Sequence, residues 1–251
     1  MQRAELHFHL LPGVDDGPAD LEESVEVARL AVADGTSVVT TTPHVRDLLR
    51  GGMLHELPAR VREVADALRR ARVPLEVRTG AELAHDDVAL LGDRELEAIA
   101  QGPPGRRWVL LEAPLFEPDL DGFLAATAEV RARGFGTLIG HPERCDVFMG
   151  AGGAVAAERR AGARLQVNGS SLLGFHGAAA QARGFELLRA GQADLVASDA
   201  HRPSRPPVLS AALDALAAHG IPLREAERFA SAAPHALLAE GIAPLRGARA
   251  A

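Results

Sequence analysis

Apolar residues along the chain alternate between short runs of strand type and longer stretches with helical spacing, from one end to the other. Strands are predicted near 4–9 (AELHFH), 37–42 (SVVTTT), 75–82 (LEVRTGAE), 107–113 (RWVLLEA), 136–141 (GTLIGH), 164–169 (RLQVNG) and 194–199 (DLVASD). Helices are predicted near 20–34, 54–72, 93–100, 119–133, 153–161, 177–190 and 206–219, with two shorter ones near 223–231 and 234–240 closing the chain. Seven strands in alternation with helices imply parallel pairing through right-handed crossovers. An open doubly wound sheet and a closed barrel both satisfy that pattern. No linker, repeat or charge block divides the chain, so one domain is expected over 1–245, with 246–251 (GARAA after Arg246) as a frayed tail.

The strand ends hold the chemistry. Side chains two apart on a strand share a face, so His7 and His9 are expected to point the same way, and Asp199 and His201 repeat the spacing at the seventh strand. His44 follows the second strand, Glu82 ends the third, Glu112 sits late in the fourth and His141 ends the fifth. Asp16 lies in the turn LPGVDDGP directly after the first strand. Parallel α/β folds gather their sites at the carboxyl ends of strands. Six of the seven predicted strands deliver His, Asp or Glu there, and the sixth delivers Asn168.

Singly, each residue has an ordinary structural explanation: a hydrogen-bonded histidine, or a glutamate paired at a strand terminus. Together, nine such groups facing one another would repel and desolvate badly without a cation between them. Nine ligands exceed one tetrahedral ion, so two or three metals are implied. Imidazole and carboxylate without thiolate suit zinc, manganese or iron. Closely spaced metals sharing a carboxylate are a common arrangement for phosphoester hydrolysis.

Composition narrows the setting. The 251 residues include 47% hydrophobic and 24% charged side chains, an ordinary globular balance. No apolar run approaches the ~20 residues of a membrane span, and the N-terminus carries no signal-peptide pattern. The single cysteine, Cys145, allows no internal disulfide, and a cytoplasmic location is expected. With 27 basic against 34 acidic residues the formal charge is −7, which argues against nucleic acid or an anionic membrane as a broad partner. Three divalent cations would bring that charge to about −1, so an acidic chain can still present a cationic pocket to a phosphate. Other phosphate chemistries are absent. The residue six beyond Cys145 is Ala151, so there is no Cys-x5-Arg nucleophile, and neither G-x-x-x-x-G-K-[ST] nor G-x-S-x-G occurs.

The motif set resembles the PHP (polymerase and histidinol phosphatase) superfamily, with an early HxH, a mid-chain His, Glu residues and a late DxH. It is most similar to the bacterial manganese-dependent tyrosine phosphatases of capsule and exopolysaccharide operons. The segments LPGVDDGP, TPH at 42–44, GAE at 80–82, LLE at 110–112, HPER at 141–144, QVN at 166–168 and SDAH at 198–201 carry that likeness over essentially the whole chain. The resemblance implies a single-domain α/β fold, a distorted (β/α)7 TIM-like barrel, with three divalent metals at its mouth. Manganese is the expected ion, with iron or zinc as alternatives. His7, His9, Glu82 and Asp199 would surround one metal, and Glu82 would bridge to a second held by Glu112 and His141. Asp16, His44 and His201 would hold the third.

By the same resemblance Arg144 is the phosphate-binding arginine and Arg205 a second one. A metal-bound hydroxide would attack the phosphate, and His201 or a water would supply a proton to the leaving group. The implied substrate is a phosphotyrosine protein, a bacterial tyrosine kinase among the candidates. The alternatives are a small phosphate monoester such as histidinol phosphate, or a non-catalytic domain that binds phosphorylated partners. Where the family has Asp two residues before its first His, this chain has Glu5, expected on the same face as His7 and His9.

Overall fold

In the computed structural model, which describes residues 2–115 and 119–243, the strands form two parallel runs. The first joins β1 (Arg3–Phe8), β2 (Thr36–Thr41) and β3 (Glu76–Thr79). The second joins β4 (Glu82–Ala84), β5 (Trp108–Glu112), β6 (Gly136–Gly140), β7 (Arg164–Asn168) and β8 (Leu195–Ala197) in that order. Parallel bridges stitch the runs together, His44 to Glu82 on one side and Phe8 to Ala200 on the other. The His9 N–H donates to the Ala200 carbonyl at 2.8 Å and the Asp199 N–H to the His7 carbonyl at 3.2 Å. The sheet therefore closes on itself as a distorted barrel of seven strand positions, the third of them broken.

That break corrects one expectation. The run 75–82 was read as one strand ended by Glu82, but it parts at Gly80 and Ala81, and Glu82 opens β4 against Leu110 of β5. The reason lies at Gly80, where a Cβ would fall 2.6 Å from Thr40 Cγ2 and 2.9 Å from Gln101 Nε2. The backbone passes too close to its neighbours to keep a side chain, as glycine alone permits.

A second correction concerns β1. Its pairing with β2 slips between Glu5 and Phe8, which matches a bulge. Leu6 joins the apolar interior of the barrel, whereas Glu5 accepts the Ser198 N–H at 2.7 Å. The bulge thus takes Glu5 off the face that carries His7.

Helices cover the barrel. They are α1 (Leu21–Ala33), α2 (Val45–Arg50), α3 (Leu57–Arg70), α4 (Asp93–Ile99), α5 (Leu120–Ala132), α6 (Asp146–Gly150), α7 (Ala154–Arg160), α8 (Gly169–Leu172), α9 (Gly177–Arg189), α10 (Leu209–Ala218), α11 (Leu223–Ala230) and α12 (Ala232–Glu240). In α3 the buried Leu57, Val61, Val64 and Leu68 recur at helical spacing and face the core. The helix expected over 54–72 starts as a 3₁₀ turn at Leu54–Glu56, with Pro58 in the first α-turn. The one expected from 206 starts at Leu209, past Pro206 and Pro207. At α1 the Asp20 side chain accepts the Glu23 N–H at 2.9 Å, an N-cap that fixes where the helix leaves the mouth loop. The tail expected at 246–251 lies outside the described residues. No described helix is long and apolar enough to cross a membrane.

Candidate metal centre at the barrel mouth

Each strand ends in a short connection that turns a polar side chain over the mouth. The short helices α2, α6 and α8 sit in these connections, along with the 3₁₀ turns Pro142–Arg144 and His85–Leu90. Two mouth residues adopt left-handed backbone conformations rare for side chains of their kind, His141 at φ +33° and Asp199 at φ +53°. Such strain persists only where the surroundings hold it, and it collects at functional sites.

Glu82 is the hub. Its Oε2 lies 3.2 Å from His7 Nε2, 3.3 Å from His9 Nε2 and 3.2 Å from His44 Nδ1, while its Oε1 lies 3.0 Å from His141 Nε2. Asp199 Oδ1 is 3.2 Å from His7 Nε2 and 3.5 Å from His9 Nε2 and His201 Nδ1. Asp16 Oδ1 stands 3.1 Å from His201 Nε2 and 3.6 Å from His44 Nε2. The His201 and His9 rings stack at 3.7 Å. The nine side chains fall into overlapping groups whose donor atoms lie within 4.8 Å of one another. These are His9–Asp16–His44–His201, His7–His9–Glu82, His7–His141–Asp199 and His44–Glu82–Glu112. Glu112 thus sides with His44 and Glu82, and His141 with His7 and Asp199.

The electrostatics are those of a crowded site. Burial alone would lower His7, His9 and His44, but Glu82, Asp199, Asp15 and Asp16 outweigh it and raise all three, His44 to about 9. Burial would raise Glu82 and Asp199, yet the surrounding imidazoles hold both below the usual carboxylate range. Glu112, half-buried and facing Glu82, is pushed up to about 7 by desolvation and by the Glu82 charge. Burial leads the lowering of His141 and His201, with positive neighbours adding to it.

This donor set fits divalent cations. Four imidazoles crowd the two oxygens of Glu82, and His141 Nδ1 is buried with no hydrogen-bond partner. Neutral imidazole and carboxylate without thiolate form the donor set of zinc, manganese or iron sites.

Above the cluster opens a cleft of about 320 Å³ lined by Glu82, Glu112, His141, Arg46, Arg144 and Arg205 among others. Arg144 Nη1 lies 3.6 Å from Asp199 Oδ2. Arg205 donates to Asp16 Oδ2 at 2.8 Å and comes within 3.6 Å of Asp199 Oδ2. Arg46 is pinned by Asp86 and by the buried Asp87, an ion-paired wall of the cleft. His176 bonds Ser171 Oγ at 2.8 Å rather than any of the nine. His219 stacks on Phe185, and His235 bonds the Gln2 carbonyl.

Several supporting residues have roles that sequence spacing does not assign. Asp15 is buried beside the exposed Asp16, takes His9 Nδ1 at 2.8 Å and accepts the His44 N–H at 3.0 Å. The DD pair was its signal, but spacing could not say which aspartate turns inward. Gln166 meets His7 Nδ1 at 3.0 Å, and Asn168 donates to Asp199 Oδ2 at 2.9 Å. Glu143, fully buried, accepts the Asn168 N–H and the Ser171 hydroxyl, and so ties the turn carrying His141 and Arg144 to β7.

Residues 3–237 match the family model described as capsular polysaccharide synthesis, CpsB/CapC. The chain belongs to this family. It is 30% identical over 203 residues to the tyrosine-protein phosphatase YwqE of Bacillus subtilis (strain 168), covering 78% of this chain and 76% of YwqE. It is 26% identical over 208 residues to the putative tyrosine-protein phosphatase CapC of Staphylococcus aureus, covering 82% and 79%. Among solved structures it superposes with a TM-score of 0.72 and 25% identity on one from a study of Bacillus subtilis YwqE and Streptococcus pneumoniae CpsB, described there as unique metal-dependent tyrosine phosphatases. That match covers 90% of this chain and 93% of the other. An amidohydrolase from Mycoplasma synoviae, 12% identical with a TM-score of 0.58, shares the barrel fold.

Proposed function

We propose that this CpsB/CapC member is a metal-dependent protein-tyrosine phosphatase acting in capsular or exopolysaccharide regulation. The observation that carries the reading is the convergence of four histidines on Glu82 at the mouth of the barrel, beneath two arginines. Asp16, His44 and His201 would hold one cation. His7, His9, Glu112 and His141 would hold two more, with Glu82 and Asp199 shared between them. Manganese is the preferred ion, and iron or zinc suits the same donors. Bound divalent cations lower the pKa of water and neutralise charge on a phosphoryl group.

The chain's own residues supply the rest. Arg144 and Arg205 are held at the rim by carboxylates, and a phosphate would draw their planar forks onto its non-bridging oxygens. Arg205 is 45% exposed and hangs on the exposed Asp16, so it has the freedom to swing, whereas Arg144 is already 80% buried beside Asp199. His201 donates through Nδ1 to the Asp199 carbonyl at 2.8 Å and turns Nε2 to Asp16, so both ring nitrogens are committed and it serves as a ligand. A tyrosyl leaving group has an ordinary pKa near 10 and departs with little acid assistance.

The test is hydrolysis of a phosphotyrosyl peptide in manganese, with and without chelator, beside histidinol phosphate. Turnover of the peptide that chelator abolishes is expected. Equal turnover in chelator overturns the metal mechanism, and activity on histidinol phosphate alone overturns the protein substrate.

A further inference from the structure

Of the seven strand positions, the one filled by β7 sends no His, Asp or Glu over the mouth. It sends Gln166 and Asn168 instead, both fully buried. The two amides form a chain between neighbouring ligand-type residues. Asn168 Nδ2 lies 2.9 Å from Asp199 Oδ2, Asn168 Oδ1 lies 3.2 Å from Gln166 Nε2, and Gln166 Oε1 lies 3.0 Å from His7 Nδ1.

The direction of this chain is dictated from one end. A carboxylate only accepts, so Asn168 must present its NH₂ to Asp199. Its carbonyl oxygen then faces Gln166, which must answer with its own NH₂. That leaves the Gln166 oxygen facing His7, and an amide oxygen also only accepts. His7 Nδ1 therefore carries a hydrogen, which leaves Nε2 as the nitrogen that offers a lone pair once its own proton is given up to a cation. This is the nitrogen that lies 3.2 Å from both Glu82 Oε2 and Asp199 Oδ1. The same chain occupies Asp199 Oδ2 and leaves Oδ1 turned to the histidines.

We propose that Gln166 and Asn168 are positioning residues that fix the rotamer of Asp199 and the tautomer His7 takes on ligation, so that His7 Nε2, Asp199 Oδ1 and Glu82 Oε2 already face one point before any cation arrives. Asn168 is itself anchored, since its N–H donates to Glu143 Oε1 at 3.0 Å. A strand without a ligand thus sets the aim of ligands on β1 and beyond β8. The inference rests on the mouth being a metal site, as proposed above.

The experiment measures Mn²⁺ affinity of the full chain by calorimetry, with the nitrogen-15 spectrum of the imidazoles in the diamagnetic Zn²⁺-loaded protein as a second readout. Gln166→Met keeps the length but removes the acceptor, and should weaken Mn²⁺ binding about 10–100-fold, the usual effect of losing such a partner. Gln166→Glu restores an acceptor to His7 and should bind more tightly than Gln166→Met. In the wild-type spectrum the His7 Nδ1 hydrogen should be hydrogen-bonded and slow to exchange, and in Gln166→Met it should exchange rapidly. Asn168→Asp sets a second carboxylate against Asp199 and should weaken binding by a similar factor, which keeps the inference open to refutation if Gln166→Met does not fold. Wild-type Mn²⁺ affinity in Gln166→Met or in Asn168→Asp, or Gln166→Glu as weak as Gln166→Met, overturns the inference. A wild-type chain that binds neither ion overturns the metal reading itself.

Discussion

The floor and the mouth of the barrel are built from the same strands, a few residues apart, and they are opposites. At the floor Leu6, Trp108, Leu110, Leu138, Leu195 and Ala197 pack together, closed from beneath by Leu237 and Ile242. The Trp108 indole finds a partner in the Leu237 carbonyl at 3.3 Å, so even its polar atom is satisfied. At the mouth the next residues along these strands are His7, Glu112, His141 and Asp199, gathered around Glu82 of β4, with the carboxylates of Glu82 and Glu112 facing and a histidine nitrogen left unpartnered. The floor lowers the free energy of the fold by removing apolar surface from water. The mouth buries charge at a desolvation cost that its His–carboxylate pairs offset in part and bound cations would offset further. Stability and function are thus separated along the barrel axis.

The largest effects that would break this division belong to the mouth. His141→Ala should lose metal and phosphatase activity together, down to the level of the chelated enzyme, while the metal-free protein keeps its melting temperature. Metal analysis beside turnover checks it, and retained turnover removes His141 from the ligand set. Next, Arg144→Ala should lower kcat/KM by about 10²–10³, as loss of one transition-state donor does elsewhere, with metal content unchanged. A loss confined to metal content would instead make Arg144 a prop for Asp199.

The floor gives the converse. Trp108→Ala should cost about 3–5 kcal/mol of stability, yet leave turnover per folded molecule and Mn²⁺ affinity near wild type. Denaturant unfolding beside activity reads both. An equal loss of metal affinity would mean that the two layers are coupled.

The smallest effect is on pH dependence, and it sharpens the contrast. In chelator, His44 is held at about 9 against an ordinary 6.5, because Glu82 and Asp16 outweigh its burial. The stability from its pairing is fully present below about 6.5 and is lost as pH rises through 9. Burial also pushes Glu5 to about 8 and Glu143 to about 7, so the folded state holds protons that the unfolded chain has released above about 4.5. All three signs agree, and the melting temperature of the metal-free protein should fall between pH 6 and 9. Ligation requires deprotonated groups, so added Mn²⁺ should stabilise more at pH 9 than at pH 6. A gap between the metal-loaded and metal-free melting temperatures that does not change with pH would contradict this.

Much of this was legible in the amino-acid order. The alternation of strand and helix periods required parallel pairing, and the recurrence of His, Asp and Glu at strand ends located the mouth before any coordinates. Spacing is a local property, and it placed most of these residues at or just past strand ends, Glu82 excepted. It could not determine the break at Gly80 or the bulge in β1, because both answer to contacts with Thr40, Gln101 and β2 that are distant in sequence. It could not choose between Asp15 and Asp16, since which carboxylate turns inward depends on where His9 and His44 arrive. Nor could it assign work to Gln166 and Asn168, whose amides are ordinary on one strand and acquire direction only when His7 and Asp199 close on either side. The sequence by itself determined most strands and the longer helices, the parallel α/β class and the ligand-type residues, because periodicity and side-chain chemistry are written residue by residue. The tertiary structure alone decided which of these groups meet across the mouth and which amides lie between them, because such contacts are settled between strands and not along them.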